Sequence, residues 1–310
     1  MSQQLHVVFG SGQIGSRIAQ RLLDAGHRVR VVSRNPRPPA GGESAAGDAR
    51  DLEFAARAAA GATAIYDTTN PLYHHWKKEL VALGRGPLHA ATTVGAPLVA
   101  LDCLYMYGSP DGPMRETTPM KPVAKKGVLR AELAQLRLDA IARGTHVAIV
   151  RASDFFGPDL PASWWSARFF TRVRAGKSAE CIGDPDMPHS YTYAEDVARA
   201  MVTIGLAYAA GDRDLDGIWH VPTVPAESTR QLATRIGRAL GVEVKLSPIS
   251  PLMLRAIGIV LPFMGELREM AYQWQVPYVI DDAKFRARFP EFVPTPIEQQ
   301  ISATVAWASA

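Results

Sequence analysis

The chain has 310 residues, of which 47% are hydrophobic and 21% are charged, and its formal net charge is +4. A chain of this length buries well over half of its unfolded surface, so it needs neither a metal nor disulfides to hold a core. The composition excludes disordered, collagenous and coiled-coil proteins. The scattered arginines also lack the clustering with aromatic residues that is typical of nucleic-acid-binding proteins.

Cysteine content and apolar patterning indicate the compartment. Cys103 and Cys181 are too few for a disulfide framework and have no metal-ligand spacing, which favours a reducing compartment. The longest apolar stretch, Pro251–Met264, contains Arg255 and is about half as long as a membrane span. The N-terminus enters a strand pattern directly, without the features of a signal peptide. We therefore expect a soluble, cytoplasmic protein with no metal and no membrane or nucleic-acid partner.

Short apolar runs alternate with helical patterns through the first half of the chain. Helices are predicted from Ile14 to Gly26 and over Leu52–Ala60, Trp76–Leu83 and Gly127–Arg143. The strands are predicted at Leu5–Phe9, Val29–Ser33, Ala62–Thr68, Pro97–Leu104 and His146–Arg151. This alternation, with right-handed crossovers, predicts an α/β fold with a doubly wound parallel sheet of the Rossmann type.

The pattern changes after Pro158. An aromatic segment, Trp164–Phe170, is followed by predicted helices at Glu195–Leu206 and Thr229–Leu240 and a strand at Ile218–Val221. We expect residues 1–155 with about 190–222 to form a dinucleotide-binding Rossmann domain. Residues of about 156–189 with 223–310 would form a smaller substrate-binding lobe over the carboxyl edge of the sheet, where ligands of such folds bind.

A glycine motif lies between the first strand and the first helix. Gly10, Gly12 and Gly15 form G-x-G-x-x-G, with Gln13 and Ile14 inside it. The first glycine permits a tight turn, the second lets the backbone approach a pyrophosphate, and the third allows close helix–strand packing. A glycine turn without a ligand is the alternative. The strand–turn–helix context favours a dinucleotide site.

The end of the second strand indicates which dinucleotide binds. An acidic residue there would bind the ribose hydroxyl of NAD, whereas this chain has Ser33 and Arg34. An arginine can pair with a 2′-phosphate, so NADP(H) is expected in preference to NAD(H), unless Arg34 is simply solvated. Asp48 and Ala49 are further candidates, at the adenine edge; the alternative is a turn that caps the next helix.

Several short motifs in order give the chain a family resemblance. They are FGSGQIG, YDTTN with Thr68 and Thr69, LYMYG, RASDFFGP, HSYTYAEDVARAM and PTPIEQQISATVAW. In this order they resemble an extended short-chain dehydrogenase/reductase of the NAD-dependent epimerase/dehydratase family. The resemblance implies a Rossmann fold, a nicotinamide cofactor held partly at Thr68 and Thr69, and often a dimer built on the helices that start near Trp76 and Gly127.

The resemblance fails at the catalytic positions. The Y-x-x-x-K pair of the family falls on Lys126 and Arg130, and the partner serine falls on Cys103. Lys126 could act as an electrostatic stabiliser or general acid, as in lysine-using relatives similar to isoflavone reductases; with Lys125 it could instead be an ordinary basic helix start. Tyr105 is the better candidate for a catalytic phenol, because Tyr107 matches a mostly structural family position.

Two more departures concern the substrate. Asp154, beside Phe155, replaces the family asparagine that often helps to bind a diphosphate, and His189 replaces an arginine. Both changes disfavour an anionic ligand. Trp164 and the apolar Leu252–Met264 favour an apolar substrate, although such stripes are also common in protein cores.

Three functions follow as hypotheses. The first is an NADPH-dependent reductase of a carbonyl, enone or related group in a mostly apolar small molecule. The second is a sugar-nucleotide epimerase or dehydratase, which would need a tyrosine from elsewhere in the chain. The third is a regulator that binds NADP but has lost its chemistry, and the missing Tyr/Lys pair is its support. A homodimer is expected from the resemblance alone.

Overall fold

The structure is a computed structural model, and it describes residues 3–161, 163–249 and 268–309. The segment Leu252–Met264, which we expect to favour an apolar substrate, lies outside the described residues. Contacts divide the chain into two compact units. The first comprises Met1–Met106, Lys126–Ala152 and Val197–Val221, and the second comprises Tyr107–Lys125, Ser153–Asp196 and Pro222–Ala310.

The elements are numbered in chain order. The strands are β1 Leu5–Phe9, β2 Arg28–Ser33, β3 Glu43–Ala46, β4 Ala64–Asp67, β5 Leu98–Asp102, β6 Val147–Arg151, β7 Asp154–Phe156, β8 Ala179–Ile182, β9 Pro188–His189, β10 Tyr191–Tyr193, β11 Gly217–His220, β12 Glu227–Ser228 and β13 Leu246–Ile249. The helices are α1 Gly15–Asp24, α2 Leu52–Ala58, α3 Trp76–Val94, α4 Lys125–Ala142, α5 Ala167–Arg174, α6 Ala194–Ala209, α7 Thr229–Leu240, α8 Ala283–Arg288 and α9 Ile297–Ser309.

A seven-stranded sheet forms the centre of the first unit. Its strand order is β11-β6-β5-β4-β1-β2-β3, and every pairing is parallel. Strands β1, β4 and β6 are buried at every residue, as expected for a parallel sheet covered on both faces. The order reverses between β1 and β4, which places the loops after these strands at the edge where open sheets bind ligands. The predicted doubly wound Rossmann fold is confirmed.

The sequence pattern misses one element of this unit and predicts another too short. The hydropathy pattern gives no strand at β3, because this edge strand alternates half-buried with exposed residues and has no apolar run. The predicted helix Trp76–Leu83 continues to Val94, through the sequence GRGP. Gly84 and Gly86 allow this close packing: a Cβ on Gly86 would lie 1.7 Å from the carbonyl oxygen of Ala49. These glycines are therefore contact positions within a helix rather than its end.

Strand β1 contains a buried histidine, His6. The Nδ1 atom of His6 lies 3.2 Å from the hydroxyl of Tyr66, and the His6 ring contacts the ring of His27 with centroids 4.8 Å apart. Burial, with a smaller repulsion from His27, lowers the pKa of His6 to about 4. His6 is therefore neutral in the folded protein near neutral pH.

The second unit is built from short strands and helices. Strand β10 pairs with β7, β12 with β9, and β13 with β8. Its core is aromatic, with Phe156, Trp165, Phe169, Phe170 and Tyr191 among the buried residues. Ser228 begins α7 with a capping box, in which its side chain accepts from the Gln231 amide and the Gln231 side chain accepts from the Ser228 amide. Within the described ranges, no helix is long and apolar enough to cross a membrane.

Candidate active site

The glycine loop follows β1 and enters α1. Gly10 has φ +101°, a conformation that side chains disfavour, and a Cβ on Gly15 would lie 2.0 Å from the carbonyl oxygen of Gly10. Gly12 faces open space, with no atom within 4 Å of an added Cβ. Gln13 and the buried Ile14 complete the turn into α1. A tight turn, an open glycine and a helix N-terminus in this order fit a dinucleotide pyrophosphate.

The back of this loop is formed by the residues after β4. The hydroxyl of Thr68 donates to the carbonyl oxygen of Phe9 at 2.9 Å, and the amide and hydroxyl of Thr69 both donate to Asp67. The other Asp67 oxygen accepts from the Arg137 guanidinium at 2.7 Å, and both of these side chains are buried. Thr68 and Thr69 thus lie beside the glycine loop, where the sequence predicts cofactor contacts, and Arg137 ties α4 to this edge of the sheet.

Polar residues surround the end of β2. The hydroxyls of Ser33 and Ser11 lie 3.1 Å apart, and Arg34 is exposed. Asp48 is held in an ion pair by Arg50, whose hydrogen bonds lower the pKa of the Asp48 carboxyl, with a smaller effect from the charge of Arg34.

The structure also shows which groups Asp48 and Ala49 contact. Asp48 forms the expected turn, because its carbonyl oxygen accepts from the Asp51 amide at 3.0 Å. The N-cap of α2 is Asp51, which accepts from the Phe54 amide, rather than Asp48 or Ala49. Ala49 is buried, and its carbonyl faces Gly86 in α3.

A pair of phenols lies at the carboxyl edge of the first unit. The hydroxyls of Tyr73 and Tyr105 are 2.6 Å apart. Lys126, at the start of α4, is only 3% exposed, and its Nζ lies 5.1 Å from the centre of the Tyr73 ring. Lys126 is therefore buried beside the phenols rather than solvated, whereas its neighbour Lys125 is exposed. Tyr105 and Lys126 are recognisable from local motifs, whereas Tyr73 lies more than thirty residues before Tyr105, carries no local motif and was not predicted.

Arg130 lies one turn along α4 from Lys126 and is engaged on several sides. It donates to the Asn70 side chain at 2.8 Å and lies 3.4 Å from an oxygen of Asp102. Its guanidinium also stacks over the Trp76 ring, 4.4 Å from the ring centre. Arg130 thus brings a second positive charge to the phenol pair and is fixed in place by these contacts.

Cys103 lies among these residues and is half-buried. Burial raises the pKa of Cys103 to about 12, with opposing contributions from Arg130 and Asp102. A thiol of this kind stays protonated near neutral pH and is a poor nucleophile. This protonation state disfavours a nucleophilic role for Cys103.

The predicted substrate residues lie in the second unit. Nε2 of His189 is 2.8 Å from a carboxylate oxygen of Asp154, so these two departures from the family pattern form one pair. Phe155 follows Asp154 in β7 and is half-buried, and its carbonyl accepts from the Ser163 hydroxyl. Trp164 lines a small pocket together with Trp165, Phe169, Tyr191 and Trp274, although Trp165 and Phe169 are also core residues. Across the described part of the chain, no cluster of His, Cys, Asp and Glu is arranged to hold a metal.

Solved structures similar to this chain share its fold. WbmH from Bordetella bronchiseptica, in complex with NAD+, is 17% identical, with a TM-score of 0.73 over 98% of both chains. MoeE5, in complex with UDP-glucuronic acid and NAD, is 20% identical, with a TM-score of 0.78 over 98% of both chains. DesIV from Streptomyces venezuelae, a dTDP-glucose 4,6-dehydratase with NAD bound, is 19% identical, with a TM-score of 0.78 over 99% of this chain and 97% of that one.

The sequence itself also has a family match. A comparison with curated proteins finds no match. The sequence pattern of the NAD-dependent epimerase/dehydratase family, however, matches residues 7–216, which is more than half of the chain. With the glycine loop, the parallel sheet and the predicted motifs in the family's order, the chain belongs to the NAD-dependent epimerase/dehydratase family.

Proposed function

We propose that this chain is a nicotinamide-dinucleotide-dependent oxidoreductase whose acid–base group is the Tyr105 phenol, supported by Tyr73 and Lys126. The observation that carries the proposal is the 2.6 Å contact between the two hydroxyls beside the buried Lys126. The family's own tyrosine and lysine positions are occupied here by Lys126 and Arg130. The phenol therefore comes from the end of β5 and the cation from α4.

In the proposed reaction the cofactor transfers the hydride and the protein transfers the proton. A bound nicotinamide supplies or accepts the hydride. The Tyr105 hydroxyl gives a proton to the substrate oxygen, or takes one in the reverse direction, while the Tyr73 hydroxyl donates a hydrogen bond to the resulting phenolate. The positive charges of Lys126 and Arg130 favour that phenolate, because an opposite charge at short range stabilises the ionised form.

The cofactor that we propose is NADP(H) in preference to NAD(H). Arg34 is exposed at the end of β2, beside the Ser11 and Ser33 hydroxyls, and no acidic residue ends that strand. Cation and hydroxyl donors suit a 2′-phosphate. The relatives named above were solved with NAD, so this preference would distinguish the chain from them.

Two classes of substrate have support. The aromatic lining around Trp164 and the carboxylate of Asp154 favour a mostly apolar carbonyl or enone compound. The family match and the UDP-glucuronic acid bound to MoeE5 favour a sugar nucleotide that is epimerised or dehydrated. The Tyr105–Tyr73 pair also supplies the tyrosine that a sugar-nucleotide reaction would need. In our proposal the second unit binds the substrate in either case.

The experiment incubates the protein with NADPH and NADH in parallel, against apolar ketones, enones, quinones and epoxides. A second set offers UDP-glucose and UDP-glucuronic acid with NAD+ and NADP+, and follows epimerisation by NMR and loss of water by mass spectrometry. NADPH consumption with the first set supports the reductase, and conversion of the second set supports the sugar-nucleotide enzyme. Saturable cofactor binding without turnover of either set would contradict the proposal and favour a regulator.

Lys126→Met separates a catalytic role from a structural one. Removing the ammonium should lower turnover by about 100-fold, within the usual range for electrostatic and acid–base groups, and leave the cofactor Kd unchanged. The matched control is Lys125→Met, since Lys125 is the exposed neighbour on the same turn. Turnover retained in Lys126→Met would remove Lys126 from the proposed machinery.

A further inference from the structure

Asn70 lies shortly after the end of β4, at the same edge of the sheet as the phenol pair. Its side-chain oxygen, Oδ1, accepts a hydrogen bond of 2.8 Å from the Arg130 guanidinium. A guanidinium has N–H donors and no acceptor, so the amide turns its oxygen towards Arg130. The amide nitrogen, Nδ2, therefore faces away from Arg130. Among the described residues, its N–H donors have no hydrogen-bond partner.

Further contacts fix Asn70 in this orientation. The carbonyl oxygen of the next residue, Pro71, accepts from the indole N–H of Trp76 at 3.0 Å. The Arg130 guanidinium stacks over the Trp76 ring at 4.4 Å and lies 3.4 Å from an oxygen of Asp102. The contacts thus return to their starting point, and an exposed amide is held by a buried cation and a buried indole. A polar group that is held in this way is preorganised for a ligand.

The indole that holds this loop also borders the phenol pair. The Trp76 ring contacts the Tyr73 ring with centroids 4.9 Å apart, and the Tyr105 ring with centroids 6.1 Å apart. Asn70 and Tyr105 are therefore connected through one ring, and both belong to the first unit. A small molecule whose oxygen meets the Tyr105 hydroxyl finds the N–H donors of Asn70 beside it.

We propose that Asn70 is a specificity-determining residue, which donates a hydrogen bond to a second oxygen of the substrate, next to the carbonyl group at Tyr105. The substrate class is a ketone with a neighbouring carbonyl or ester oxygen. A hydrocarbon group at that place leaves the amide donors without an acceptor, and an ammonium group has only donors itself. The inference rests on the proposed function only in placing the reacting carbonyl at Tyr105, and it narrows the carbonyl candidates to dicarbonyl compounds.

The test measures binding rather than turnover, so its failure is distinct from failure of the proposed oxidoreductase. The full chain is titrated in the presence of NADP+, which cannot reduce a ketone, and binding is followed by NMR. The probes are methyl benzoylformate, acetophenone and phenacylamine. All three are phenyl ketones, and the carbonyl is followed by an ester, a methyl group or an aminomethyl cation. We expect the ester to bind most tightly and the amine least.

Asn70→Asp separates the two functions of the side chain. It keeps an oxygen for Arg130 and replaces the outward N–H donors with a carboxylate oxygen, which repels an ester carbonyl. We expect the Kd of methyl benzoylformate to rise about tenfold or more, and that of acetophenone to change by less than about twofold. The matched control is Gln135→Glu, the same amide-to-carboxylate change at an exposed position of α4, which should alter neither Kd.

A spectroscopic signal reports on the amide itself. The chain contains two asparagines, Asn35 and Asn70, so protein labelled with nitrogen-15 asparagine gives two side-chain amide signals. We expect the Asn70 signal, assigned with Asn70→Asp, to shift as methyl benzoylformate saturates the protein and to stay in place with acetophenone. The Asn35 signal should not respond to either compound.

Several results would overturn the proposal. They are a wild type that binds the ester no more tightly than the other two ketones, an ester Kd unchanged in Asn70→Asp, and an Asn70 signal that does not move at saturation. An unchanged Kd would mean that Asn70 serves only to hold Arg130. Ester binding that depends on Asn70 supports the proposal even where NADPH reduces none of the three compounds, a result that would count only against the proposed oxidoreductase.

Discussion

At the scale of single residues, Arg34 is the proposed determinant of cofactor choice. We expect Arg34→Gln to weaken NADPH binding about tenfold or more and to leave NADH binding nearly unchanged, because only the phosphate ester loses a charge-assisted partner. The ratio of the two Kd values, measured by fluorescence titration, checks this. Arg37→Gln, which removes another exposed arginine three residues on, is the control. An unchanged ratio in Arg34→Gln would show that Arg34 is only solvated.

His6 makes stability depend on pH. Its pKa is lowered from 6.5 to about 4 in the folded protein. Above about pH 6.5 both states are neutral at this position; as the pH falls towards 4, only the unfolded state takes up the proton, so stability is lost. At pH 4 this effect lowers the free energy of unfolding by about 3 kcal/mol relative to neutral pH.

Urea unfolding between pH 7.5 and 4.5 tests this dependence. We expect His6→Gln to have a flatter pH profile than the wild type, whatever its stability at pH 7.5. His89→Gln, at an exposed histidine, should keep the wild-type slope. If the slope persists in His6→Gln, another group causes it.

Single residues also show where sequence reasoning reaches its limit. Local motifs are enough to single out four candidate residues, Tyr105, Lys126, Asp154 and His189. That Tyr73 meets Tyr105, and that His189 binds Asp154, depends on which loops and strands the fold brings together. Such contacts leave no pattern in the local sequence. Of the phenol pair, Tyr105 could therefore be predicted and Tyr73 could not.

At the scale of elements, helix α3 depends on the absence of a side chain at Gly86. We expect Gly86→Ala to destabilise the protein by about 1–3 kcal/mol, because the new Cβ would meet the backbone of Ala49, which cannot rotate away. The helix propensity of alanine offsets part of this cost. Chemical denaturation measures the difference. Arg85→Ala, at the exposed neighbouring position, should be close to neutral, and a stable Gly86→Ala would mean that α3 does not pack as described.

The elements that sequence patterning predicted well are those whose own residues determine them. Strands β1 and β6 are buried at every residue and apolar at all but one position each, and α7 has both a cap and an amphipathic stripe. Strand β3 has neither an apolar run nor full burial, and α3 contains a sequence that elsewhere ends helices. Their structure comes from tertiary packing, which a local pattern does not record.

At the scale of the whole molecule, the two units suit different tasks. The first contains the glycine loop, Arg34 and the phenol pair, and the second contains the Asp154–His189 pair and an aromatic pocket. The motif order was enough to predict the family and the fold. The substrate was not predictable, because the candidate substrate residues Asp154 and His189 depart from the family pattern.

The proposed chemistry depends on the phenol pair, and Tyr105→Phe removes the hydroxyl that would exchange the proton. With a compound that the wild type converts, we expect Tyr105→Phe to lower kcat at least about 100-fold, as for loss of an acid–base group, with an unchanged cofactor Kd. Tyr107→Phe, at the buried tyrosine on the same short 3-10 turn, should keep its activity. Turnover that survives in Tyr105→Phe would show that the Tyr105 phenol is not the acid–base group.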